Sequence, residues 1–183
     1  FGYTAMQQNT EGDFNTAFGH AALRYNVGGD YNIAIGYEAL YTNTADHNLG
    51  IGSFALWGNT NGTNNVGLGY KTLFKNATGS YNTAIGYSAL QGTNSSTNIF
   101  RNTGVGYQVM LNNAGNDNTA MGYQALVDNT GAQNVAIGGL AMNKNTSGSY
   151  NAAFGYIALY NNTTGEYNTA IGHRSLHDNT TGG

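Results

Sequence analysis

Eleven glycines stand in near-perfect register along the chain: Gly2, Gly19, Gly36, Gly52, Gly69, Gly86, Gly106, Gly122, Gly138, Gly155 and Gly172. The steps between them are 17, 17, 16, 17, 17, 20, 16, 16, 17 and 17 residues. A period this short describes a stack of small coils. One such unit cannot bury its own apolar face, so stability must come from stacking on its neighbours. This constraint also bears on function, because a repetitive stack is a rod or a binding surface before it is an enzyme pocket.

The repeat is best numbered from an Asn at position 0, which recurs at Asn15, Asn32, Asn48, Asn65, Asn82, Asn102, Asn118, Asn134, Asn151 and Asn168. Position 2 is always Ala or Gly, as in Ala17, Gly50 and Ala84. Position 3 is always large and apolar, as in Phe18, Ile35, Leu68 and Met121. Position 4 is the glycine, and position 5 is mostly Tyr: Tyr37, Tyr70, Tyr87, Tyr107, Tyr123 and Tyr156, with His20 and His173 at either end. Position 7 is mostly Ala, position 8 is Leu or Met, and position 11 is nearly always Asn. Position 12 is often Thr, followed by a stretch rich in Gly, Ser and Asn.

The alternation of small and large residues over positions 0 to 3 has the period of a strand. A second short strand is expected over positions 7 to 10. The glycines Gly19, Gly36, Gly52, Gly69, Gly86, Gly106, Gly122, Gly138, Gly155 and Gly172 then mark a sharp bend where a side chain is not tolerated. The Asn-Thr-x-Gly segment supplies the other turn. Too few residues remain in each unit for a helix. The expected fold is therefore all-β, a parallel β-solenoid of about eleven coils, as one domain over residues 1–183. The 20-residue step holds a three-residue insertion within residues 95–101, which should form a surface loop carrying Phe100 and Arg101 sideways. Large residues at positions 3 and 8 are expected to meet inside: Ile35, Ile85, Ile137 and Ile171 with Leu40, Leu90, Leu126 and Leu176. The small residues at positions 2 and 7 then suggest a subunit contact. Asn at positions 0 and 11 is expected to form hydrogen-bonded ladders along the stack.

Composition supports this and excludes several functions. Proline is absent, which fits a chain needing nearly all its backbone N–H groups for pairing. With no cysteine there is neither a disulfide nor a thiolate metal site. Charged residues are 8% of the chain and the net charge is −3. The six basic residues are scattered and form no stripe of the kind that nucleic-acid binding requires. No apolar run is long enough for a membrane helix. The chain begins in mid-repeat and reads as a window from a longer fibre.

Phrases such as Tyr81-Asn82-Thr83-Ala84-Ile85-Gly86-Tyr87-Ser88-Ala89-Leu90 and Tyr167-Asn168-Thr169-Ala170-Ile171-Gly172-His173 resemble the repeats of phage-type tail fibres. They are also similar to the shorter repeats in the heads of trimeric autotransporter adhesins. The resemblance covers the whole chain. It implies a left-handed parallel β-roll, three chains side by side, at a cell or virion surface. The unit here is longer than in the adhesin heads.

No catalytic, cofactor or metal site is expected. The nine Asp and Glu fall at different repeat positions. His173 and His177 are four apart, but on strand and turn rather than on a helix face. Gly-x-Gly triplets such as Gly50-Ile51-Gly52 are positions 2 to 4 of the repeat and carry no nucleotide-loop signal. The expectation is a non-enzymatic segment of an extracellular fibre or adhesin that contributes to attachment. It should self-associate, as a homotrimer or as an end-to-end filament, because apolar residues such as Tyr31, Phe54, Phe74 and Tyr160 exceed what a thin coil encloses. Two alternatives remain open. The Tyr ladder could bind a surface glycan, or Thr at positions 1 and 12 could form an ice-binding array. Ile33, Leu49 and Val66 interrupt the first of those Thr columns.

Overall fold

A computed structural model describes residues 1–92 and 98–183. The chain is an all-β parallel solenoid. Ten strands follow one another: β1 Thr16–Phe18, β2 Ile33–Ile35, β3 Leu49–Ile51, β4 Val66–Leu68, β5 Thr83–Ile85, β6 Thr103–Val105, β7 Thr119–Met121, β8 Val135–Ile137, β9 Ala152–Phe154 and β10 Thr169–Ile171. They form one sheet in sequence order. Register is kept throughout, so that Ala17 pairs with Ala34 and Ala120 with Ala136. Each repeat position therefore becomes a column running the length of the stack.

The side-chain parity of the strands is the reverse of the expectation from sequence. Position 2 is buried and positions 1 and 3 face outward. Ile35, Ile85 and Ile171 are exposed and Ile137 is partly so, while Ala34, Ala84, Ala136 and Ala170 are in the core. Positions 2 and 7 are thus interior columns and not a subunit contact. Leu40, Leu90 and Leu126 are buried as expected, but Leu176 is exposed. The reason is volume. A Cβ on Gly50 would sit 3.1 Å from Leu40 Cγ, and one on Gly104 would sit 3.1 Å from Met110 Cε. The position 8 side chain already fills the lumen up to the opposite wall, so that wall can carry only Ala or Gly. One large side chain per coil fits inside, and the position 3 residue is turned out.

Strand pairing is confined to positions 1 to 3. The expected second strand over positions 7 to 10 is replaced by two consecutive turns. Ala22 N–H bonds Gly19 O at 3.4 Å, and Asn26 N–H bonds Leu23 O at 3.3 Å. Positions 6 and 8 adopt left-handed backbone even though they are not glycine, with φ of 54° at Ala21 and 50° at Leu23. For an L-residue this conformation costs roughly 1–2 kcal/mol. It is held because it aims successive N–H groups along the stack in opposite directions. Ala21 N–H reaches Tyr3 O in the preceding coil at 2.9 Å, and Leu23 N–H reaches Ala39 O in the following coil at 3.0 Å. The buried backbone is thereby satisfied, and burial of the Leu side chain offsets the strain by about 1.5–3 kcal/mol. At position 4 the bend needs glycine. Gly36 has φ +136°, and a Cβ there would lie 2.6 Å from Gly52 O.

Both Asn columns are internal ladders. At position 11, Asn26 Nδ2 donates to Asn9 Oδ1 at 2.7 Å and to Gly29 O at 2.8 Å. At position 0, the backbone N–H of each Asn donates to the side chain of the Asn one coil before, as for Asn65 on Asn48 at 3.0 Å and Asn134 on Asn118 at 2.9 Å. Its own Nδ2 caps the turn carbonyl at position −3, as Asn65 does for Gly79 O at 2.8 Å. Asn32, Asn65, Asn82 and Asn134 are fully buried. Of the expected insertion, residues 95–97 lie outside the described residues. Ile99 beyond them is buried and takes the −3 position that glycine, or in one coil Ala45, holds elsewhere, with Asn82 Nδ2 on its carbonyl at 2.7 Å.

Candidate binding surface

The outward parity of positions 1 and 3 builds one continuous face. Column 3 runs Phe18, Ile35, Ile51, Leu68, Ile85, Val105, Met121, Ile137, Phe154 and Ile171, and column 1 beside it mixes Thr with Ile33, Leu49, Val66 and Val135. Neither column contains a charged residue. The ten strands are three residues long, in register and without a bulge, so the face is regular along its whole length. The aromatic residues that sequence reasoning treated as surplus are disposed differently. Phe54, Trp57 and Phe74 pack on one another, with Trp57 stacked on Phe74 at 5.2 Å and Lys71 Nζ 5.4 Å from the Phe74 ring centroid. Trp57 Nε1 donates to Glu38 Oε2 at 2.9 Å, Tyr160 stacks on His177 at 5.4 Å, and Tyr31 lies between Phe14 and His47. These groups cover each other along the coil. The β-sheet face is left open as well, beside the exposed aromatic edges of positions −1 and 5.

Sequence reasoning missed that face through its choice of strand parity. The signal was present, since positions 1 and 3 share one side of a strand; position −1, often aromatic as at Phe14, Tyr31, Tyr81, Tyr150 and Tyr167, precedes the strand in left-handed backbone, with φ of 57° at Phe14 and 63° at Tyr81. In the same column Arg101 forms a two-pronged ion pair with Asp117, at 2.6 and 2.9 Å. The Arg101 hydrogen bond holds the Asp117 carboxyl below its ordinary value. Both groups are solvent-screened, which keeps the contribution to stability small.

The Tyr column at position 5 lies just past the bend. Tyr70, Tyr87, Tyr107 and Tyr123 form an unbroken stack with centroid separations of 5.1, 5.2 and 5.4 Å. Tyr37 is separated from this run by Ser53, and Tyr156 by Gly139. His20 stacks on Tyr37 at 5.1 Å, and His173 on Tyr156 at 5.8 Å. Within the run each ring face is covered by the next ring, so the ladder presents edges and hydroxyls to solvent. It is not the strip of open aromatic faces that glycan stacking along its whole length would use.

The Thr column at position 12 is also committed internally. Thr44 Oγ1 donates to Thr60 O at 3.0 Å, Thr130 Oγ1 to Thr146 O at 2.8 Å, and Thr146 Oγ1 to Thr163 O at 2.8 Å. These hydroxyls link coil to coil. His173 and His177 fall in different stacks, and His177 Nδ1 lies 2.7 Å from Asp178 Oδ1. Among the described residues no helix is long and apolar enough to cross a membrane, and no group of three potential ligands converges on a metal position. No known protein family, curated protein or solved structure matches the chain.

Proposed function

We propose that this chain is a non-enzymatic structural segment of an extracellular fibre or adhesin, at a cell or virion surface, and that its sheet face joins it side by side to copies of itself. The observation that carries the reading is the uncharged apolar face of columns 1 and 3, with Phe18, Ile35, Met121 and Phe154 all exposed. Soluble monomers rarely leave a contiguous apolar patch of this extent uncovered. Nine strand spacings of about 4.8 Å give a face roughly 45 Å long, and three residues of strand at about 3.3 Å each make it roughly 10 Å wide, or roughly 450 Å². That is somewhat over half of the roughly 800 Å² per partner of a stable interface, so the columns flanking the face must contribute to the contact. Three copies round a common axis turn this face inward in a closed cyclic arrangement, as the resemblance of the Asn-Thr-Ala-Ile-Gly repeats to trimeric surface fibres suggests. The position of titratable groups in separate, solvent-facing columns supports a structural role.

Sedimentation velocity of the chain at micromolar concentration tests this. A trimer is expected, and replacing Ile85 and Ile137 together by Lys should yield a monomer with unchanged circular dichroism. A stable wild-type monomer would overturn the reading. Length-dispersed polymers would replace the trimer by end-to-end stacking.

A further inference from the structure

The position 5 ladder is broken twice, and the two breaks differ. At Ser53 the missing ring is replaced by Phe54, which stands edge-on to Tyr37 at 5.2 Å and to Tyr70 at 6.1 Å. At Gly139 the corresponding neighbour is Leu140, which has no ring to offer. Tyr156 leans across this break. Its Cδ2 and Cε2 would lie 3.3 and 3.6 Å from a Cβ on Gly139. Its separation from His173, 5.8 Å, exceeds the 5.1 to 5.4 Å of the unbroken run. The Tyr123 face that looks toward Gly139 carries no stacked ring among the described residues. Tyr123 is accordingly 54% exposed, against 44% for Tyr107 one coil before.

We propose that the break at Gly139 is a binding site for one uncharged pyranose ring, stacked on the free face of Tyr123. Two strand spacings of about 4.8 Å separate the coils of Tyr123 and Tyr156, which leaves room for a single ring once Tyr156 swings back toward His173. A phenol face is electron-rich and attracts the C–H groups on the apolar side of a sugar. Positions 3 to 6 of the three coils concerned are Met121–Gln124, Ile137–Leu140 and Phe154–Ile157, with no charged residue among them. The site therefore favours a neutral ligand. The polar groups flanking it are the Tyr123 and Tyr156 hydroxyls, while the Gln124 amide is held toward the preceding coil, its Nε2 donating to Gln108 Oε1 at 2.8 Å. An apolar face with hydroxyl partners at its edge is the recognition chemistry of a pyranose. The inference does not depend on self-association, because the gap lies past the bend and outside columns 1 and 3.

Saturation-transfer NMR tests it, with methyl glycosides of glucose, galactose and mannose as probes at millimolar concentration. At least one glycoside should receive saturation on its ring protons. The signal should disappear in Gly139→Tyr, which restores the ladder and closes the gap. Gly139 is not in the left-handed region, and the atoms its new Cβ would meet belong to a movable ring, so this variant should fold. Tyr123→Leu should lose the signal too, and Ser53→Tyr should keep it. Absence of saturation on all three glycosides, or its persistence in Gly139→Tyr, would overturn the proposal. So would binding of p-cresol at this site with every glycoside excluded.

Discussion

At the scale of single residues, the buried Asn side chains do what strand pairing does elsewhere. Asn129 donates to Asn113 Oδ1 at 2.9 Å and Gly131 O at 2.6 Å, and accepts from Asn145 Nδ2 at 2.6 Å and Gly131 N–H at 3.1 Å. Few other side chains offer two donors and an acceptor of this length, so the column tolerates little else. Asn129→Ala strips partners from several buried groups, and each orphan costs about 1–3 kcal/mol. We expect a loss of roughly 2–4 kcal/mol in urea melts, since Asn145 Nδ2 and Gly131 O keep second partners. Asn129→Asp is the sharper test. The same shape now buries a carboxyl, whose folded-state pKa burial pushes above the unfolded value. The folded state then holds its proton more tightly than the unfolded one, and stability falls as pH rises between the two values. The Asp variant should be less stable at pH 7 than at about pH 4, whereas the Ala variant should show no such added pH dependence.

Among the elements, the strands divide inward from outward residues by volume and not by hydrophobicity. Replacing Leu90, fully enclosed at position 8, by Ala leaves a cavity that the rigid ladders on either side cannot collapse, at about 2–5 kcal/mol. Ile85→Thr, on the sheet face of the neighbouring strand position, should cost under about 1 kcal/mol in a dissociated monomer and weaken self-association instead. Melting the two variants at low protein concentration separates these roles, and a larger loss for Ile85→Thr would restore the opposite facing. This contrast also marks what could be read from the sequence. The coil period, the parallel stack, the bend at Gly36 and the Asn ladders were legible because each depends on residues recurring in one column. The facing of Ile85 against Ala84 was not. Alternation alone says that the two point apart, and the choice between them rests on the space left by Leu90 across the lumen. The left-handed backbone at Leu90, with φ of 52°, carries no sequence signal either, since Leu ordinarily avoids it. The Tyr column was legible from its register, but the break at Gly139 becomes meaningful only beside the way Phe54 fills the one at Ser53.

On the scale of the whole molecule, each coil touches only the coils above and below it, and every strand contact is between sequence neighbours. Stability is then close to a sum of coil terms and nearest-neighbour interfaces. The same substitution should therefore have a cost that depends on where in the stack it falls. Leu90 has coils on both sides and is 1% exposed, whereas Leu176, at the identical position 8 of the last complete coil, is 47% exposed. Its side chain is half in water already, and removing it leaves a notch in place of a cavity. Leu176→Ala in this 183-residue chain should cost well under half of what Leu90→Ala costs, about 1 kcal/mol or less. Hydrogen exchange gives the same gradient without mutation. The amide of Leu90, bonded to Val109 O at 3.0 Å within the stack, should exchange only on disruption of central coils. The amide of Asn179, bonded only locally to Leu176 O at 3.2 Å, should exchange through fraying of the last coil. Urea added in small steps should speed Asn179 little and Leu90 strongly, because the central opening exposes more surface. Equal urea sensitivity at the two amides would mean that the ten-stranded stack opens as a single unit, and the nearest-neighbour description would fail.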